Sequence, residues 1–183
     1  MFLVAIVLLA LVSATADAAE QPYVHGDIAL GASYDTLAAA LDFRDINAAL
    51  AEQGARKASK PDLGSRGYGC VRREDPYADV TCVSHDERIG AAPLREIRLQ
   101  FLDGVLQQFS ITAELRYFDV VLQTLRADHG PPSGQEPATA GTYASYRWRN
   151  GAATIVAYAG TDLVFVSFEL AGYAEAVKRR HQR

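Results

Sequence analysis

Residues 95–132, REIRLQFLDGVLQQFSITAELRYFDVVLQTLRADHGPP, read as strand, tight turn, strand, helix and stop, and they limit the fold more than any other stretch. Ile97, Leu99 and Phe101 alternate with Arg98 and Gln100, the period of two that marks a half-buried strand. Asp103-Gly104 signals a hairpin, because glycine enters the left-handed region without steric cost. A two-residue turn there would pair Phe101 with Leu106 and Arg98 with Phe109, turning Phe109 to the polar side. A three-residue loop, Leu102-Asp103-Gly104, pairs Phe101 with Val105 and Ile97 with Phe109. Ile97, Leu99, Phe101, Val105, Phe109 and Ile111 then share one face, with Gln107 the exception. A slip of one residue inverts a whole strand, so the three-residue loop is the expected register.

The helix follows at once. Phe118, Val121, Leu122 and Leu125 fall at i, i+3, i+4 and i+7, a single apolar stripe. His129-Gly130-Pro131-Pro132 ends it, since glycine suits the C-terminal cap and proline cannot continue a helix. A helix with one apolar face must lie on another element, and the nearest is the hairpin's apolar face.

Upstream, residues 1–18 carry an apolar run of signal-peptide length followed by Ala16-Asp17-Ala18, an A-x-A cleavage pattern, although no Lys or Arg precedes the run. The expectation is a cleaved leader over residues 1–18 and one exported domain over residues 19–183, with no stable membrane span after cleavage; a segment kept as an anchor is the alternative reading. Ser33 is a good helix N-cap with Asp35 in the first turn, ahead of a stripe of Tyr34, Leu37, Ala38 and Leu41. A second stripe starts at Ile46, Ala49 and Leu50; one kinked helix and two short ones both fit. Residues 55–69, basic and glycine-rich, read as a solvated loop.

Cys70 and Cys82 stand at equal offsets from Pro76, facing each other on an expected hairpin. In an exported chain two cysteines normally pair, and closing so short a loop stabilises by roughly 3 kcal/mol. After a loop over residues 133–141, Tyr143 to Arg149 alternates, and Asn150-Gly151 is a strong hairpin signal. A two-residue turn there pairs Trp148 with Ala153 and Tyr146 with Ile155. Leu163–Leu170 is apolar on both faces, as an interior strand is. Residues 172–183 suit a short helix with a positive end. The fold class is therefore α+β: an antiparallel sheet of two meanders with helices packed on one face, arranged as tandem helix-plus-meander units.

Gly31-Ala32-Ser33-Tyr34-Asp35-Thr36-Leu37, opening a helix soon after the expected leader, resembles the start of SmpA/OmlA-type (BamE-like) lipoproteins. The order of helix then antiparallel strands resembles the repeat unit of the β-lactamase-inhibitor-protein fold. Both resemblances imply a periplasmic or secreted protein that works by contacting other proteins. The chain has no lipobox cysteine at the expected cleavage region.

The chemistry is sparse. His25, His85, His129 and His181 show no metal-ligand spacing, and no nucleophile elbow, phosphate loop or dinucleotide fingerprint occurs. No catalytic residue, cofactor or metal ligand is therefore assigned. His85-Asp86-Glu87 could imitate an acid–base cluster but reads as solvated loop. A net charge of −4 gives a nucleic-acid partner no electrostatic support. Trp, Tyr and Arg are the residues enriched at protein-binding hot spots. Alternation assigns Trp148 and Tyr146 to the core and leaves Tyr143, Arg147 and Arg149 as the expected contact surface. The leading expectation is a periplasmic or secreted non-enzymatic binding or accessory protein whose partner is another envelope or secreted protein. An inhibitor of an enzyme and a small hydrolase are the alternatives.

Overall fold

A computed structural model of the chain describes residues 21–46, 67–73, 75–139 and 143–182. The expected leader, the stripe beyond Ile46 and most of the expected basic loop lie outside these residues. The elements run β1 (Val24–His25), β2 (Ile28–Ala29), α1 (Tyr34–Ala40), β3 (Phe43–Asp45), β4 (Tyr68–Arg72), β5 (Val80–Ser84), β6 (Arg88–Ile89), β7 (Ala92–Leu102) and β8 (Val105–Glu114). A 3-10 turn at Leu115–Tyr117 then leads into α2 (Phe118–His129), β9 (Gly134–Glu136), β10 (Ser145–Arg149), β11 (Ala153–Ala159), β12 (Leu163–Leu170) and α3 (Tyr173–His181). The fold is mixed α and β. Its large sheet has the order β3-β4-β5-β7-β8-β12-β11-β10-β9, with β6 paired to β7 beside that path and β1-β2 forming a separate hairpin. Every pairing in the large sheet is antiparallel except β3 with β4.

The two expected meanders are one sheet, because β8 pairs with β12. The last strand of each helix-plus-meander unit thus meets the other at the centre. One register row crosses seven strands: Cys70, Cys82, Leu99, Phe109, Phe168, Ile155 and Trp148. All seven are buried. Leu37 of α1 and Val121, Leu122 and Leu125 of α2 join the same core, which defines the sheet's inner face. Ser33 caps α1 as expected, its hydroxyl accepting from the Thr36 amide at 3.1 Å.

Three expectations need correction. The β7–β8 turn has two residues, with Leu102 opposite Val105 and Phe101 opposite Leu106. Asp103 and Gly104 both have positive φ, 53° and 75°, the twist that two-residue hairpins favour. A bulge then shifts the register, so that Gln100 pairs with Gln108, Leu99 with Phe109 and Ile97 with Ile111. An extra residue in one strand restores inward-facing Phe109; Gln107 is that residue. At the second hairpin, Trp148 pairs with Ile155 and Tyr146 with Ala157. The Asn150 side-chain oxygen accepts from the Ala152 and Ala153 amides at 3.0 and 2.8 Å, which lengthens the turn. A shift of two residues preserves the faces, so Trp148 still points inward.

The helices do not all share one core. Tyr173 and Val177 of α3 cluster with Leu102, apart from the main core. Leu102 follows inward-facing Phe101 in the strand and so points to the opposite face. Smaller corrections concern connectors: Phe43–Asp45 forms β3 soon after α1, and Gly134–Glu136 pairs with β10 as an edge strand. Tyr68 and Gly69, expected in the loop, open β4.

Gly67 closes the approach to β4 with φ 64°, and a Cβ built there would sit 2.5 Å from the Asp42 carbonyl oxygen. That carbonyl accepts the Tyr68 amide at 2.7 Å. Gly67→Ala should therefore destabilise by about 2 kcal/mol or more, read as a lower urea midpoint with an unchanged slope.

Candidate functional site

The side chains that alternate with the buried row point to the other, outer face. Two rows cross it. One runs Val71, Thr81, Gln100, Gln108, Glu169, Thr154 and Arg149; the next runs Gly69, Val83, Arg98, Ser110, Ser167, Val156 and Arg147. The middle carries Gln100, Gln108, Glu169, Ser110 and Ser167, flanked by Arg98 on β7 and by Arg147 and Arg149 on β10. At roughly 4.8 Å per strand, six spacings span about 29 Å. The Gln108 amide group donates to Ser167 Oγ at 2.9 Å and braces the middle of the surface across the β8–β12 seam.

An open groove lies at each end of this surface. The larger, about 350 Å³, has Gly69, Val71, Thr81, Val83, Arg98 and Gln100 as its floor and Arg73, Asp75, Tyr77 and Ala78 as its wall. The other, about 270 Å³, is lined by Arg147, Arg149, Thr154, Val156, Ser167 and Glu169. Burial holds the Glu169 carboxyl above its usual range. The expected contact residues are thus partly united. Arg147 and Arg149 are exposed and share a groove. Tyr143 is exposed but donates to or accepts from Thr161 Oγ1 at 2.7 Å, in the β11–β12 turn, and lines neither groove. Tyr146 packs on Phe118 at 5.9 Å, and Trp148 is buried, its indole N–H donating to the Gly130 carbonyl at 2.9 Å.

Cys70 and Cys82 form the expected disulfide. It lies on the inner face directly behind the larger groove, since its neighbours Gly69, Val71, Thr81 and Val83 are that groove's floor. A buried disulfide is compatible with an oxidising extracytoplasmic compartment. No described helix is long and apolar enough to cross a membrane.

The wall of the larger groove is fastened from α3. Arg180 reaches Asp79 at 2.5 Å and Asp103 at 2.7 Å, and the Asp103 amide donates to Asp79 at 2.7 Å. The Arg180 hydrogen bond holds the Asp79 carboxyl below its usual range. The Tyr173 hydroxyl donates to the Tyr77 carbonyl at 2.9 Å; burial, with Glu169 nearby, pushes that phenol up to about 12. No sequence signal links Arg73 with Arg98, because the β4–β5–β7 strand pairing alone brings them together, and Arg180 joins through ion pairs made from α3.

The His85-Asp86-Glu87 run does not form a unit. His85 Nδ1 contacts the Arg95 carbonyl, Asp86 donates its amide to Ser84, and Glu87 accepts the Tyr68 phenol at 2.9 Å. Burial, with Glu87 beside it, pushes the Tyr68 phenol up. Sequence reasoning missed a second pair, on the inner face. His25 and His129 both lie against Phe168, at 6.4 and 6.1 Å, and Tyr23 meets the His129 ring at 5.0 Å. Among the described residues no three His, Cys, Asp or Glu side chains are grouped to hold a metal ion.

No protein-family model matches the chain. No curated protein matches it. Among solved structures, a GTP-binding regulator from Thermotoga maritima overlaps 54% of this chain and 70% of its own, at 14% identity and a TM-score of 0.36. A likeness that slight carries no argument about function.

The histidine pair makes stability depend on pH. Burial lowers both pKa values; a hydrogen bond to the Arg88 backbone, then Asp128 and Glu87, oppose it at His25, while at His129 Asp128 opposes it and the His25 charge adds to it. As pH falls through about 6.5, the unfolded chain takes up protons before the folded one. Stability therefore declines on acidification until the lowered folded values are passed. Urea midpoints at about pH 7.5 and about pH 5 should differ in that sense. The difference should shrink in a His25→Gln, His129→Gln variant.

Proposed function

We propose that the chain is an exported, non-enzymatic binding or accessory module of the periplasm or cell exterior. Its working surface is the outer sheet face. The observation that carries this reading is the pair of adjacent outer rows with a groove and arginines at each end. Support for export comes from the A-x-A pattern at Ala16-Asp17-Ala18 and from the Cys70–Cys82 disulfide. The partner is another envelope or secreted protein. Arginine is favoured at protein interfaces because its planar fork binds carboxylates in two-pronged fashion. Arg147 and Arg149 stand two residues apart on β10, both exposed on one face, and offer that chemistry to an acidic partner segment.

A photo-reactive side chain at position 147, in cells exporting the protein, should crosslink to one envelope or secreted protein. The same probe at Asp119, an exposed position of α2, should not. Arg147→Glu with Arg149→Glu should reduce association with that protein at least tenfold, the effect of losing one or two charge-assisted contacts, with an unchanged melting temperature. Equal crosslinking from both positions, or full association by the charge-reversed variant, would contradict the reading.

A further inference from the structure

The groove at the other end of the outer face, walled by Arg73, Asp75, Tyr77 and Ala78, also has the features of a small-molecule site. Its volume of about 350 Å³ lies in the range of ligand pockets. Its floor is apolar where Val71 and Val83 lie diagonally across the β4–β5 pair, and Ala78 adds to the wall. Two guanidinium groups line it. Arg98 is held in place by Glu96, whose carboxylate it meets at 2.8 Å. Arg73 has no ion-pair or side-chain hydrogen-bond partner among the described residues. An apolar floor beside an uncommitted cation selects a ligand with an apolar body and an anionic end. Asp75, on the same wall, and Glu96 oppose a second negative charge.

The groove is also braced on both sides. The disulfide clamps β4 to β5 from behind the floor. The Tyr77 carbonyl, the Tyr77 ring against His181 at 5.2 Å, and Asp79 tie the wall to α3. A preformed pocket costs a ligand less ordering than a mobile one. We propose that this groove binds a small monocarboxylate with an aliphatic or aromatic body. Its carboxylate would sit on Arg73 and Arg98 and its body on Val71 and Val83. This goes beyond the protein-contact reading and does not rest on it, since Arg147 and Arg149 take no part.

Amide NMR titrations of the full oxidised chain would use octanoate, octanol and acetate as probes. Octanoate should shift the amides of Val71, Thr81, Val83 and Arg98 saturably at millimolar concentration. Octanol and acetate, each lacking one half of the recognised chemistry, should bind at least tenfold more weakly. Arg73→Gln should weaken octanoate about tenfold, the effect of one charged hydrogen bond, and leave octanol unchanged. Arg149→Ala, in the far groove, should change neither. A folded Arg73→Gln protein that binds octanoate like the parent would overturn the assignment. So would the absence of saturable shifts, equal binding of octanol and octanoate, or shifts centred on Arg147 and Arg149.

Discussion

The pairing of β8 with β12 is the contact on which the rest of the structure depends. It sets Phe109 directly opposite Phe168, their rings stacked at 4.1 Å. Each ring is fully buried, worth about 1.5–3 kcal/mol of hydrophobic stabilisation, with about 0.5–1.5 kcal/mol more from the aromatic pair. Without this seam the chain would hold two separate meanders, each with an exposed edge. With it, one buried row runs from the disulfide to Trp148. The alternation of strand side chains then makes the outer rows continuous as well.

That continuity links packing to function. Gly69, Val71, Thr81 and Val83 are in the groove because Cys70 and Cys82 are not. Arg147 and Arg149 face outward because Trp148 between them is drawn inward to the Gly130 carbonyl. α3 occupies part of the outer face at one end, where Leu102 gives it an apolar seat. Its Arg180 anchors both the groove wall, at Asp79, and the central hairpin turn, at Asp103. The face remains open toward β10, where the two arginines stand.

Much of this was legible from residue order, and the exceptions have physical causes. The stripe of Phe118, Val121, Leu122 and Leu125 and the stop at Gly130 correspond to α2, because helix period and capping are local. The Cys70–Cys82 facing pair was legible because a short hairpin is nearly local too. The residue pattern turns Phe109 inward through a three-residue loop, whereas the structure does so through a two-residue turn and a bulge at Gln107. Sequence pattern reports which side a residue faces, not how the backbone arranges it. The β8–β12 seam joins strands far apart in the chain, and no local signal encodes it. For the same reason the pairing of Arg73 with Arg98 in one groove, and of His25 with His129 around Phe168, could not be read in advance. Alternation groups Tyr143 with Arg147 and Arg149, but Tyr143 precedes β10, where strand periodicity does not govern direction.

The seam is tested most directly by equilibrium unfolding in urea, followed in each half separately. Trp148, the chain's one tryptophan, reports fluorescence from the β9–β12 half. Amide NMR signals of Val83 and Arg98 report the disulfide-bearing half. If β8 and β12 unite the two meanders into one cooperative sheet, the curves coincide, and Phe168→Ala lowers both midpoints together. Two separate transitions, or a Phe168→Ala variant that shifts the tryptophan curve alone, would contradict the single-sheet account and the continuous outer surface built on it.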